Sequence, residues 1–211
     1  MRHYSLIDKL LSQANAALTT VFTVALSARK NPAEILAEPE LNNEEKKNSI
    51  GCMRVNHTGE VCAQALYRGQ LITCSADKTR SMLEKSCEEE TDHLAWTKQR
   101  LIELHGKTSY LNLLWYFNSY LIGLIAGLAG DRWSLGFVSE TEIQVANHLK
   151  NHLMKLPEND LKSRAIVSQM RDEEMQHEKA AVDAGACELP EIIKKLMQLN
   201  AKVMTTVAYR I

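Results

Sequence analysis

With 211 residues, of which 45% are hydrophobic, the chain is long enough to enclose a sizeable core, and its net charge of -1 leaves no electrostatic footprint for nucleic acid. Only nine glycines and four prolines occur, helix formers are plentiful and no alternating strand pattern stands out, so the expected class is all-α, in one domain spanning 1–211. Cys52, Cys62, Cys74, Cys87 and Cys187 form no Cys-x-x-Cys pair and follow no secretory leader. That argues against a disulfide framework and for buried thiols in a reducing compartment.

In chain order, the spacing predicts a first helix from Tyr4 to about Ser27, with Leu6, Leu10, Leu11, Ala14, Leu18, Phe22 and Leu26 on one side, suited to a bundle or a membrane surface. A polar, acidic connection follows over Pro32 to Lys47, so 1–43 reads as an N-terminal helix and connection preceding a bundle over 44–211. The first bundle helix is expected from Glu44 to Thr73 and the second from Ala76 to Glu103, stopped by Gly106. The third ends before Pro157, the fourth runs from Asp160 to Ala184 and stops at Gly185, and a last helix opens at Pro190.

Between the second and third bundle helices lies Thr108 to Gly130, 23 residues without a charge. Its length alone would qualify it as a membrane span. A single span, however, would put Glu90 and His93 on one side of a bilayer and Glu142, Glu174 and His177 on the other. Asn112, Asn118, Ser119 and three glycines also interrupt it, so the expectation is an apolar crossover at a membrane interface, anchored by Trp115, Tyr116, Tyr120 and Trp133. A buried crossover helix of an ordinary bundle is the alternative.

Glu-x-x-His occurs as Glu90/His93 and as Glu174/His177, and each copy has a lone glutamate upstream, Glu60 or Glu142. Residues three apart share a helix face, so each pair can offer an oxygen and a nitrogen to one metal. The spacing is more telling than the motif. Glu60 precedes Glu90 by 30 residues and Glu142 precedes Glu174 by 32, and the midpoints fall on turn chemistry at Ser75 and Glu158. A hairpin folded at each point carries its ligands about 21 Å from the turn, at 1.5 Å per residue. Two such hairpins bring six ligands to one layer of a four-helix bundle, the ligand pattern of a carboxylate-bridged di-iron centre.

Four carboxylates and two imidazoles would neutralise two Fe(II) ions, and this donor set suits iron or manganese. Glu90 and Glu174 are the expected bridges. His57, one turn before Glu60, and His148 are candidates to support the ligands from outside, as are Asp92, Asp172 and Glu173. Ordinary solvated side chains are the competing reading for each.

Two stretches carry a specific resemblance. Arg54-Val55-Asn56-His57-Thr58-Gly59-Glu60 and Arg171-Asp172-Glu173-Glu174-Met175-Gln176-His177 resemble the corresponding stretches of the demethoxyubiquinol hydroxylase family, the di-iron monooxygenases of ubiquinone biosynthesis. Glu90-x-x-His93 and Glu142 followed by His148 fill the remaining positions, so the resemblance covers about residues 45 to 211. It implies a ferritin-like bundle with extra N-terminal and C-terminal helices. It also implies Glu60, Glu90 and His93 at one iron, Glu142, Glu174 and His177 at the other, with Glu90 and Glu174 bridging. The implied reaction uses O2 to hydroxylate the ring of a polyprenyl demethoxyubiquinol.

A polyprenyl tail partitions into lipid, so the expected place is peripheral, on the cytoplasmic side of the cell membrane. No Gly-x-Gly-x-x-Gly fingerprint for a flavin or nicotinamide occurs, so electrons are expected from the quinol itself or an external reductase, and other ubiquinone-biosynthesis proteins are possible partners. Another ferritin-like di-iron oxidase, an iron-storage protein and a purely structural bundle remain the rival classes. A tRNA-modifying hydroxylase would need a basic patch that the composition does not suggest.

Overall fold

The computed structural model describes residues 6–23, 25–38 and 40–211. Among them are seven helices and no strand: α1 (Leu6–Phe22), α2 (Asn43–Thr73), α3 (Asp77–Glu103), α4 (Asn112–Leu128), α5 (Asp131–Lys155), α6 (Leu161–Ala184) and α7 (Glu191–Ala208). Helices α2, α3, α6 and α5 pack in that cyclic order as a four-helix bundle, made of two hairpins folded at 74–76 and 156–160. Both expected turns are in place.

Local chemistry fixes each of them. The Asp131 carboxylate accepts the backbone N–H groups of Ser75 and Ala76 and the Ser75 hydroxyl, closing the first turn from the start of α5. Asp160 caps α6 by accepting the Ser163 N–H at 3.1 Å and also accepts Arg100 Nη2 at 2.9 Å. Fully buried Arg100 further donates to Ser163 Oγ, Glu38 and Glu103, so one guanidinium ties α3 to the start of α6 and to the N-terminal connection. A buried arginine is tolerable only with such a complete set of acceptors.

The bundle core has two apolar layers. One contains Cys52, Met53, Trp96, Leu101, Leu149, Ile166, Val167 and Met170, and the other Tyr67, Leu83, Cys87, Val138 and Ala181. On every bundle helix the proposed ligands fall between these two layers: Glu60 between Met53 and Tyr67, Glu90 and His93 between Cys87 and Trp96, Glu142 between Val138 and Leu149, and Glu174 and His177 between Met170 and Ala181.

Crossover helix α4 lies along the outside of α2, and glycines set how closely. A Cβ on Gly69 would stand 2.7 Å from the Leu124 nitrogen, and one on Gly123 would stand 2.9 Å from the Leu66 carbonyl carbon. These residues therefore permit a backbone contact between helices instead of merely breaking up the crossover. Thr58 Oγ1 donates to buried Asn112 Oδ1 at 2.9 Å, adding a polar tie beside the site. Tyr116 corrects an expectation: it is 4% exposed, packs with Val21, Val61, Ala65 and Leu94, and stacks on Tyr120, so it belongs to the core and not to an interfacial anchor. The opposite face of α4 exposes Leu113, Leu114, Phe117, Leu121, Ile125 and Leu128. No helix among the described residues is long and apolar enough to cross a membrane.

Two helix ends and the buried face of α1 depart from expectation. Helix α1 stops at Phe22, short of Ser27, and the chain beyond it is tied to α3 by the Asp92 carboxylate, which accepts the backbone N–H groups of Ala28 and Arg29. Its inner face is Thr20 and Val21, whereas Leu11, Leu18, Phe22 and Leu26 of the expected stripe are exposed; Tyr4 and the side chains of Leu6 and Leu10 lie outside the described residues. After α3 the left-handed position is taken by His105 at φ 57°, and Gly106 follows it with its N–H on Leu101 O at 2.7 Å. Gly185 does adopt the left-handed conformation, at φ 110° after α6.

Candidate metal centre

Six residues on four helices converge between the apolar layers. Glu60, Glu90, His93 and Glu174 form one group, and Glu90, Glu142, Glu174 and His177 a second, each with ligand atoms within 4.8 Å of one another and every member buried. Glu90 and Glu174 belong to both. His93 Nδ1 lies 3.0 Å from Glu90, 3.3 Å from Glu174 and 3.7 Å from Glu60. His177 Nδ1 lies 3.1 Å from Glu174 and 3.2 Å from Glu90. Both rings thus aim Nδ1 at the shared carboxylates.

The outward nitrogens are held by a swap across the bundle. His93 Nε2 meets Glu173 Oε2 at 2.7 Å, and His177 Nε2 meets Glu89 Oε2 at 2.7 Å. The glutamate just before each bridging position therefore supports the histidine of the opposite motif. With a proton on Nε2, each ring presents a lone pair on Nδ1 to a metal. Tyr67 donates its phenolic O–H to Glu142 Oε1.

The electrostatics fit a cation-binding site. Burial, together with the charge of Glu90, holds Glu60 well above the usual carboxylate range, and burial with the charges of Glu174 and Glu90 does the same to Glu142. Burial also opposes a charged His177, yet its hydrogen bonds to Glu174 and Glu90 outweigh that and raise it to about 12. His93 is raised as well, against its own burial, chiefly by Glu90. Protons on these groups offset part of the carboxylate charge gathered there, which is the charge that divalent metals would balance.

Residues 47–208 match the family described as Ubiquinone biosynthesis protein COQ7. The chain belongs to that family. Among its relatives, the 3-demethoxyubiquinol 3-hydroxylase of Coxiella burnetii (strain CbuG_Q212) is 57% identical over 208 residues, covering 99% of this chain and 97% of that protein. Those of Polynucleobacter asymbioticus and Chromobacterium violaceum are 52% and 50% identical, each covering 98% of this chain and 100% of the relative. The bacterioferritin-related protein of Bacteroides fragilis, a dodecameric thioferritin, shares the fold with a TM-score of 0.53 at 16% identity, over 74% of this chain and 90% of that one. The resemblance read from the two motif stretches and the ferritin-like all-α class are both borne out.

Of the other residues singled out in the sequence, Glu173 does reach His93, whereas Asp92 accepts from Ser27, Ala28 and Arg29 and exposed Asp172 pairs with Arg171. His57 is 1% exposed with no partner for either ring nitrogen, and burial pushes it down to about 3. His148 packs edge-on against His152, whose Nδ1 meets Asn56 Oδ1 at 2.7 Å, and burial pushes these two down to about 4 and 3. Among the described residues neither His57 nor His148 hydrogen-bonds any of the six. Glu89 and Tyr67 were not foreseen. The first was signalled by the doubled Glu-Glu at 89–90 and 173–174, and the second by its place two turns after Glu60 on one face of α2.

Proposed function

We infer that this chain is a di-iron monooxygenase, a 3-demethoxyubiquinol 3-hydroxylase acting late in ubiquinone biosynthesis. The observation that carries the reading is the pair of four-residue groups sharing Glu90 and Glu174, in a chain whose relatives bear that name. Glu60, Glu90, His93 and Glu174 would hold one iron and Glu142, Glu174, His177 and Glu90 the other, with Glu90 and Glu174 as bridges. Bound there, two irons would supply the activation of O2. One oxygen atom enters the quinol ring, and the other leaves as water with two electrons and two protons from the quinol or an external reductase.

The chain's own contribution is to hold the donors in place and keep water away. Glu173 and Glu89 fix the two imidazoles with Nδ1 inward, Tyr67 orients Glu142, and the apolar layers above and below limit access to the centre. The substrate's polyprenyl tail resides in lipid. The exposed apolar faces of α1, α4 and α7, the last two joined by an Asn118 to Asn200 hydrogen bond, support a peripheral attachment to the cytoplasmic side of the cell membrane.

The test is an anaerobic Fe(II) load followed by O2 and a short-chain demethoxyquinol, with the products weighed by mass spectrometry. A gain of one oxygen atom, absent in Glu90→Ala, is expected. Two bound irons and O2 consumption with an unchanged quinol would move the activity to another substrate.

A further inference from the structure

The two halves of the centre are related by sequence but not by surroundings. His177 is supported by Glu89, a partly exposed carboxylate that Lys85 approaches only to 3.6 Å, from the surface. His93 is supported by Glu173, which is gripped from its far side: Arg29 Nη1 donates to Glu173 Oε1 at 2.6 Å and Nη2 to Oε2 at 2.9 Å. A bidentate arginine fixes the plane of a carboxylate as well as its charge. Gln169 Nε2 adds a further bond to Glu173 Oε1.

Arg29 is itself anchored. It comes from the non-helical strap after α1, ahead of the residues that match the family. Asp92 accepts Arg29 Nε, the Ala28 N–H at 2.7 Å and the Ser27 hydroxyl at 2.8 Å. The guanidinium carbon lies 5.0 Å from the centroid of the Trp96 ring, Trp96 Nε1 donates to Ser27 Oγ at 3.1 Å, and the Trp96 and His93 ring centroids are 5.5 Å apart. Strap, arginine, tryptophan and histidine form one continuous contact on one side of the bundle only.

We propose that Arg29 is a positioning residue for the metal centre: by holding Glu173 on His93 Nε2 it sets the orientation and donor strength of His93 alone, and so makes the Glu60/His93 position unlike the Glu142/His177 position. The proposal rests on the di-iron reading above. A hydrogen-bonded carboxylate behind a ligating imidazole makes it a better donor, and a cation clamped on that carboxylate moderates the effect. With Arg29 in place only one of the two imidazoles is so moderated.

The test loads metal-free protein with two equivalents of ⁵⁷Fe(II) under argon and records Mössbauer spectra alongside an affinity titration. Wild type is expected to give two ferrous doublets. Arg29→Ala should change the quadrupole splitting of one doublet and weaken one site by about 10–100-fold, the scale for loss of an outer support, while the other doublet and site stay as they were. Glu173→Gln, which leaves the Asp92 anchor intact, should affect the same doublet should Arg29→Ala fold poorly, and Lys85→Ala should affect neither. Unchanged spectra and affinities in Glu173→Gln and in folded Arg29→Ala, or equal weakening of both sites, would overturn the positioning role while leaving the di-iron centre standing. A wild type that takes up no iron would overturn the di-iron reading and this proposal with it.

Discussion

Metal-free protein should lose stability as the pH rises from 7 to 8.5. Folding raises His177 from 6.5 to about 12, so above pH 6.5 the folded ring keeps a proton that the unfolded ring has released. Such a group contributes stability that is complete below the unfolded pKa and is lost as pH climbs toward the folded one. At 1.36 kcal/mol per pH unit per proton, His177 alone accounts for about 2 kcal/mol over this window. His93 is raised too and acts in the same direction, and whatever part of the raised Glu60 and Glu142 titration remains above pH 7 does likewise. Glu90, whose neighbours' favourable contacts, His93 foremost, overcome its burial and depress it, stays ionised throughout and adds no slope. For a chain of this length a drop of about 2 kcal/mol corresponds to about 4–8 °C in Tm. The assay is thermal unfolding by circular dichroism in the presence of a chelator at several pH values, repeated anaerobically with Fe(II). Metal requires deprotonated ligands, so the loaded protein should lose most of the decline or reverse it. A chelated protein whose Tm is flat or rises over this window, with its helices intact, would refute the reasoning that protons offset carboxylate charge in the cluster.

Two more outcomes follow from named contacts. Gly123→Ala should destabilise despite gaining about 1 kcal/mol of helix propensity, since overpacking costs about 1–3 kcal/mol, whereas Gly59→Ala, whose Cβ meets nothing within 4 Å, should stabilise by about 0.5–1 kcal/mol; urea unfolding of the pair decides it. Glu60→Ala removes a donor from one group only and should retain about one iron per chain, while Glu90→Ala removes one from both and should retain none, read by elemental analysis after desalting.

The hairpins and their ligands were legible because both the turn signals and the ligand spacing are local. Ser75 and Glu158 sit where the chain reverses, and ligands set about 14 residues on each side of a turn must meet at one height in any antiparallel helix pair. The place of α4 was not legible. Its composition says that it is apolar on several faces, but whether Tyr116 or Phe117 turns inward depends on Gly69 and Gly123, which let α4 settle onto α2 with one face and leave the other outside. The stripe on α1 misled for a related reason: short Thr20 and Val21 fit the space beside α4, and the longer Leu18 and Phe22 do not enter it.

The supporting residues show a different limit. Glu173 and Glu89 are visible as doubled glutamates, yet nothing in the sequence says that each serves the other motif's histidine, because that crossing depends on α3 and α6 being neighbours in the closed bundle. Arg29 is more than 140 residues from the carboxylate it grips. The same closure explains why the centre is built from two hairpins. Four carboxylates gathered between apolar layers are costly to bury unless protons on Glu60, Glu142, His93 and His177, or metal ions in their place, offset the charge, so each half-site depends on the other for its counter-charges. The pins at the hairpin ends, Asp131 on the first turn and Arg100 with Asp160 on the second, lie away from the charged layer. They hold the bundle shut from both ends, so the six donors stay gathered and protons in the layer can give way to cations.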